Sequence, residues 1–110
     1  MEHTSLTVLA RQQLDNARGA TNGRSAHTVY GGQQKVLRQT LIALAGGQKL
    51  DEHENPGEAT VHVLNGQVRL ATGDSSWTGS AGDLLVVPDA RHTLEALEDA
   101  VVLLTVAKRG

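Results

Sequence analysis

The sequence predicts an all-β protein, an antiparallel barrel or sandwich with one helix ahead of it. Three observations carry this. Short apolar runs recur at even spacing through the second half of the chain, with Gly, Pro and Asn-Gly signals between them. The runs are rich in Val and Leu, and several are too short for a helix. Only the first twenty or so residues carry an apolar stripe at helical period.

At 110 residues the chain holds one domain. It has no Phe, one Trp and one Tyr, so its core must come from Leu, Val, Ile and Ala. The net charge is −2 with the signs interspersed, and no Lys/Arg cluster or stacking platform appears, which removes the electrostatic footing of nucleic-acid binding. The absence of Cys excludes disulfides and thiolate metal sites and fits a reducing compartment. No apolar run reaches membrane-spanning length, and the start MEHTSLTVLARQQ lacks the order of a signal peptide. The expectation is a soluble cytoplasmic protein without nucleic-acid or membrane partners.

Ser5 is placed to cap a helix carrying Leu6, Leu9, Ala10, Leu14 and Ala17 on one stripe, with Gly19 to stop it. Residues 1–20 thus form a helix packed on the domain, and 27–107 the β domain itself. Residues 20–25 read as a loop and His27–Tyr30 as a short strand. In 34–45 the β-branched Val36, Thr40 and Ile42, between Gly pairs, favour a strand over a helix. Strands follow at Ala59–Leu64 and Gln67–Thr72, with tight turns at 73–75 and 81–82. Runs at 83–87, 92–97 and 100–107 complete the set. Two of them, Leu84–Val87 and Val101–Val106, are apolar on both faces and need cover on both sides, from the helix or from a second subunit.

Asn65-Gly66 is the strongest local hairpin signal, since a type I′ turn needs positive φ at both central positions. A two-residue turn there would set His62 opposite Arg69, Val63 opposite Val68 and Val61 opposite Leu70. Opposed residues share a face. Val61, Val63, Val68 and Leu70, with Ala59, then point inward, and His62 and Arg69 outward.

In this order the residues resemble the cupin family of small β-barrels. Gly47, His53 and Gly66 fall on its first motif, G(x)5HxH(x)3–4E(x)6G, and Gly82, Pro88 and His92 on its second, G(x)5PxG(x)2H(x)3N. The resemblance implies a cupin-type antiparallel β-barrel, a double-sheet jelly roll that forms homodimers by packing sheets or exchanging edge strands. It also implies a metal held by two His of the first motif, its Glu, and the His of the second. This sequence departs from that pattern. Asn55 stands at the second His, Ala59 at the Glu with Glu58 one residue early, Ala90 at a Gly and Ala96 at the Asn, and the Pro–His spacing is one shorter.

His53 and His92 are therefore the candidate metal ligands, with Asn55, Glu58 and Ala59 as further pocket positions. Imidazoles suit a divalent transition metal such as Zn, Ni, Fe or Mn, but two alone hold it weakly. Arg24, Arg38 and Arg91 are candidate anchors for an anion, and nothing in their spacing selects one. His3, His27 and Tyr30 carry no supporting pattern. The P-loop, the Gly-x-Ser-x-Gly elbow and HExxH are all missing. The first functional expectation is a barrel that binds a small molecule. The alternatives are a metal-dependent cupin enzyme, an oxygenase or isomerase of a small organic acid, and a structural or regulatory dimer with a relic pocket.

Overall fold

A computed structural model describes residues 3–53 and 57–108, and of Glu52 and His53 the backbone alone. Among the described residues a helix, α1 (Leu6–Gly19), precedes nine strands: β1 (Arg24–Tyr30), β2 (Leu37–Leu44), β3 (Lys49–His53), β4 (Gly57–Asn65), β5 (Gln67–Thr72), β6 (Ser75–Ser80), β7 (Leu84–Val86), β8 (His92–Ala96) and β9 (Ala100–Lys108). They form two antiparallel sheets, one of five strands in the order β1-β2-β9-β4-β7 and one of four in the order β3-β8-β5-β6. This is the double-sheet architecture the sequence predicts. Among the described residues no helix is long and apolar enough to cross a membrane.

The larger sheet is covered twice. On its inner face Leu44, Ala59, Val61, Val63, Ala100, Val102 and Val106 pack against Val68, Leu70, Leu94 and Ala96 of the smaller sheet. On its outer face Leu41, Ala43, Val101 and Leu103 pack against Leu9, Ala10 and Ala17 of α1. Strand alternation produces both layers, because β2 and β9 run in unbroken register, Leu41 opposite Leu103 and Ile42 opposite Val102. Full burial of a Leu such as Leu41, at 0 % exposure, is worth about 1.5–3 kcal/mol. The helix begins where expected, with the Ser5 hydroxyl accepting from the Val8 N–H at 3.3 Å. The Ser25 hydroxyl donates to Gln13 Oε1 and ties α1 to β1.

Asn65-Gly66 does not close a hairpin. β4 pairs with β9 and β7, and β5 with β6 and β8, so the pair carries the chain from one sheet to the other. Gly66 has φ 75°, but no non-glycine among the described residues has positive φ, so the type I′ requirement fails at Asn65. Glycine is needed at 66 for a second reason: a Cβ there would lie 2.1 Å from the Asp99 carbonyl oxygen. The two-residue hairpin is instead Gly73-Asp74, joining Thr72 to its partner Ser75, with φ 50° at Gly73. Positive φ at the first central residue alone is the pattern of a II′ turn.

The inward set nevertheless holds, with Val61 at 3 %, Val63 and Val68 at 0 % and Leu70 at 1 % exposure. Face is set by alternation along each strand, whichever strand lies alongside. The neighbours of His62 do change. It lies between Leu84 and Leu103 in register, while Arg69 is in the other sheet and pairs with Glu95 at 2.7 Å. β1 also starts earlier than expected, because Arg24 and Ser25 find ladder partners in Leu44 and Ala43. Context overrides their weak strand propensity.

One polar clasp joins helix and sheets. The Asp99 carboxylate accepts from the Gly46 backbone N–H and from Arg18 Nε, both at 2.8 Å. The Gly46 bond first, then Arg18, holds the Asp99 pKa below its ordinary value of 3.8.

Gly66→Ala is expected to cost about 2–4 kcal/mol in urea unfolding, combining positive φ with the backbone clash. Gly73→Ala, whose Cβ would meet nothing within 4 Å, should cost about 1 kcal/mol. Equal costs would mean that the Asp99 carbonyl gives way freely. Because the folded pKa of Asp99 is depressed, its stabilisation is present above the unfolded carboxylate range and is lost as pH falls through the folded value. Asp99→Asn should therefore cost up to about 1 kcal/mol at neutral pH, the group being partly exposed. Chemical denaturation across pH should show that difference vanishing in acid below the ordinary Asp range.

Candidate functional site

One end of the two sheets gathers the candidate residues. His92 opens β8 and Gly57 opens β4, while β2 begins at Leu37 and β9 ends at Lys108. His92 is 6 % exposed and is the buried polar side chain among the described residues. Its Nδ1 lies 3.0 Å from the Ala90 carbonyl oxygen. A carbonyl can only accept, so Nδ1 carries the proton and, in the neutral ring, the lone pair sits on Nε2. Fixing one ring nitrogen on a backbone carbonyl orients the other, as a ligand-binding imidazole requires.

A β-bulge decides what faces His92. β3 and β8 pair Leu50 with Leu94, then His53 with His92, so β3 takes three steps where β8 takes two. The extra residue puts position 53, not 52, opposite His92. Bulges often lie beside functional sites because they change which position meets a partner. No sequence signal marks this one.

Across from β8, Ala59 of β4 lies opposite Val106 of β9, and both are buried in the inner core. Val87 is held by its N–H on the Ala59 carbonyl at 3.0 Å and lines the same core. Glu58 is exposed, opposite Ala107 in regular register, on the reverse face from Ala59. The register shift that would bring it inward does not occur, and Glu58 leaves the set of pocket positions. Asn55 lies outside the described residues. Gly47 and Gly82 stand in turns, as the spacing predicts. His3, His27 and Tyr30 are exposed.

The structure separates the three arginines. Arg91 is already engaged. Arg24 lies opposite Leu44, beside a groove of about 300 Å³ lined also by Asn22, Ile42 and Leu50. Arg38 lies opposite Val106 and so on the inner face, half-buried, at the His92 end.

These positions lie at one end of an antiparallel double-sheet fold. The profile described as the cupin domain matches residues 40–107, and the chain belongs to the cupin family. Among solved structures it is similar to a conserved protein of unknown function from Streptococcus pyogenes, at 25% identity over 100% of this chain and 92% of that one, with a TM-score of 0.75. An RmlC-like cupin from Desulfovibrio desulfuricans is 24% identical over 97% and 95% of the two chains, with a TM-score of 0.73. KdgF from a Halomonas species is 21% identical over 78% and 82%, with a TM-score of 0.64. No curated protein matches.

The donor set does not fit the four-ligand cupin metal centre. Among the described residues no three His, Cys, Asp or Glu side chains converge on one point. A methyl group stands at Ala59 where the carboxylate would and Asn55 at the second His, so the four motif positions supply two imidazoles, His53 and His92. Untagged protein purified without chelators should carry well under one transition metal per chain by elemental analysis. Ala59→Glu should raise retained zinc or nickel, and added metal should raise its Tm more than that of the wild type. A stoichiometric metal in the wild type, lost in His92→Ala, would reverse this reading.

Proposed function

We propose that this cupin is a small-molecule-binding barrel whose ligand sits at the His92 end of the interior, between the two sheets. The observation that carries the reading is the buried imidazole of His92. Its Nδ1 is committed to Ala90, the bulge sets position 53 opposite it in the ladder, and Ala59, Val87 and Val106 belong to the inner core. Concave apolar surface with a few oriented polar groups is what small ligands use. The reading takes both imidazoles as ligand contacts, with metal dispensable. The rival, an oxygenase or isomerase working through a transition metal on a small organic acid, needs a third protein ligand, and among the described residues no group of three such side chains forms.

The reading includes a cytoplasmic homodimer formed over the outer face of β7. Leu84 and Val86 are 61 % and 75 % exposed on a three-residue edge strand, on the same face as His62 and Thr60. Two apolar side chains on a sheet edge invite a partner. The helix covers β2 and β9 further across the same sheet and leaves Leu84 and Val86 bare.

Protein-observed NMR against a small-fragment set should move the His92 ring and the Ala59 and Val106 methyls together. His92→Ala should weaken the same fragments by about tenfold, the worth of one buried hydrogen bond. Shifts confined to the groove beside Arg24, or none at all, would sink the binding reading. Light scattering should give a dimer for the wild type and a monomer for Val86→Lys, with the monomer's unfolding free energy within about 0.5 kcal/mol of a surface change. A monomeric wild type would remove the dimer.

A further inference from the structure

We propose that the pocket takes a small organic carboxylate and that Arg38 is the residue that binds its charge. This rests on the reading of the His92 end as a ligand site and adds the ligand's chemical class. Arg38, Val106 and Ala59 form one row across β2, β9 and β4, because Arg38 and Ala59 both oppose Val106. Val106 belongs to the inner core, and the β2–β9 ladder has no bulge, so Arg38 shares its inward face. The alternation is fixed independently by its neighbour: Gln39 Nε2 donates to Thr105 Oγ1 at 3.2 Å on the reverse face.

Arg38 is half-buried as a residue, none of its side-chain nitrogens is buried without a partner, and among the described residues it makes no hydrogen bond or ion pair. Its planar set of five donors can therefore take an acceptor that enters at this end. The natural counter-charge in this row would come from position 59, which is Ala, and the acidic neighbour Glu58 faces the other way. The site thus has an inward cation and no protein anion within the row. A bound carboxylate would satisfy it with two parallel N–H···O bonds.

Arg91 and Lys108, two other described cations at this end, are committed elsewhere. Lys108 Nζ donates to the Gly32 and Gln33 carbonyls at 2.8 and 3.3 Å. One available guanidinium balances a single negative charge, which favours a monocarboxylate over a phosphate dianion. The short side chains of Thr40 and Ala59 and the aliphatic Leu104 and Val106 suit a compact apolar body.

The test uses pyruvate, acetate and inorganic phosphate as probes, with acetamide as the neutral counterpart of acetate, read by NMR titration of the full chain. The expected result is that the carboxylates bind with shifts at His92 and the Arg38 side chain, and acetamide at least about tenfold more weakly. Arg38→Gln should lose at least about tenfold in carboxylate affinity, with Arg38→Lys recovering only part, because the planar fork is missing. Arg24→Gln serves as the control. Arg24 sits at the level of Leu44, about 20 Å along β2 from Arg38, and its substitution should leave binding unchanged. Circular dichroism and Tm establish that each variant is folded.

Carboxylate binding that survives Arg38→Gln but falls in His92→Ala overturns the role of Arg38 and leaves the pocket standing. Loss in Arg24→Gln instead moves the anion to the edge groove and overturns the proposal. Phosphate binding tighter than either carboxylate overturns the ligand class. Shifts at His92 with neutral fragments only do the same, and no binding of any probe at this end overturns the pocket as well.

Discussion

Strand β9 must be buried on both faces, and the architecture follows from that. Val101 and Leu103 point one way while Ala100, Val102 and Val106 point the other, and all are at 8 % exposure or less. A strand of this kind needs two separate apolar covers. The second sheet supplies one and α1 the other, so the helix completes the core of the larger sheet. Its placement is held by side chains of different kinds: the Leu9–Ala10–Ala17 stripe against Leu41 and Ala43, and the Arg18–Asp99 pair at its C-terminal end. Asp99 lies in the turn between β8 and β9 and also holds Gly46, in the turn before β3. A single exposed carboxylate therefore joins the helix to two of the turns by which the chain changes sheets. Its worth lies in geometry more than in energy, since exposed ion pairs contribute little.

The face of each residue was legible in the sequence, and the strand neighbours were not. The hairpin reading placed Ala59, Val61, Val63, Val68 and Leu70 inside, and they are inside although that hairpin does not form, because alternation along each strand sets the face. The Asn65-Gly66 pair suggested a local partner, but Gly66 is used for its lack of a Cβ against the Asp99 carbonyl, in a crossing between sheets. Glycine answers equally to a turn and to a close approach, and one sequence does not separate the two. The turn that does close a hairpin, Gly73-Asp74, looked weaker because its II′ pattern asks for glycine at one position only.

At the site the same limit takes another form. His92 and Ala59 follow from the resemblance to the cupin motifs, His92 through Gly82 and Pro88 and Ala59 by its distance from Gly66. The placement of position 53 depends on an extra residue in β3 that has no Gly or Pro signature, so only the ladder reveals it. Arg38 was one of three arginines with nothing to choose among them. Its inward face becomes readable once β2 is known to run unbroken along β9, which is a long-range pairing. Pairings between strands far apart in sequence are where local patterns stop informing.

The two halves of the cupin pattern act through different physics and so can part company. Gly66 and Pro88 serve the backbone, one at a crossing that tolerates no Cβ and the other in the connection from β7 to β8. The ligand positions serve chemistry only. An alanine at 59 is compatible with the fold, since it joins Val61, Val63 and Val106 in one inner cluster. A carboxylate there would stand in the same row as Arg38 and would take up its charge. A chain can therefore carry the cupin architecture in full while its interior follows a different charge logic. The identity of residues 53, 59, 92 and 38 says more about what the barrel holds than membership of the family does.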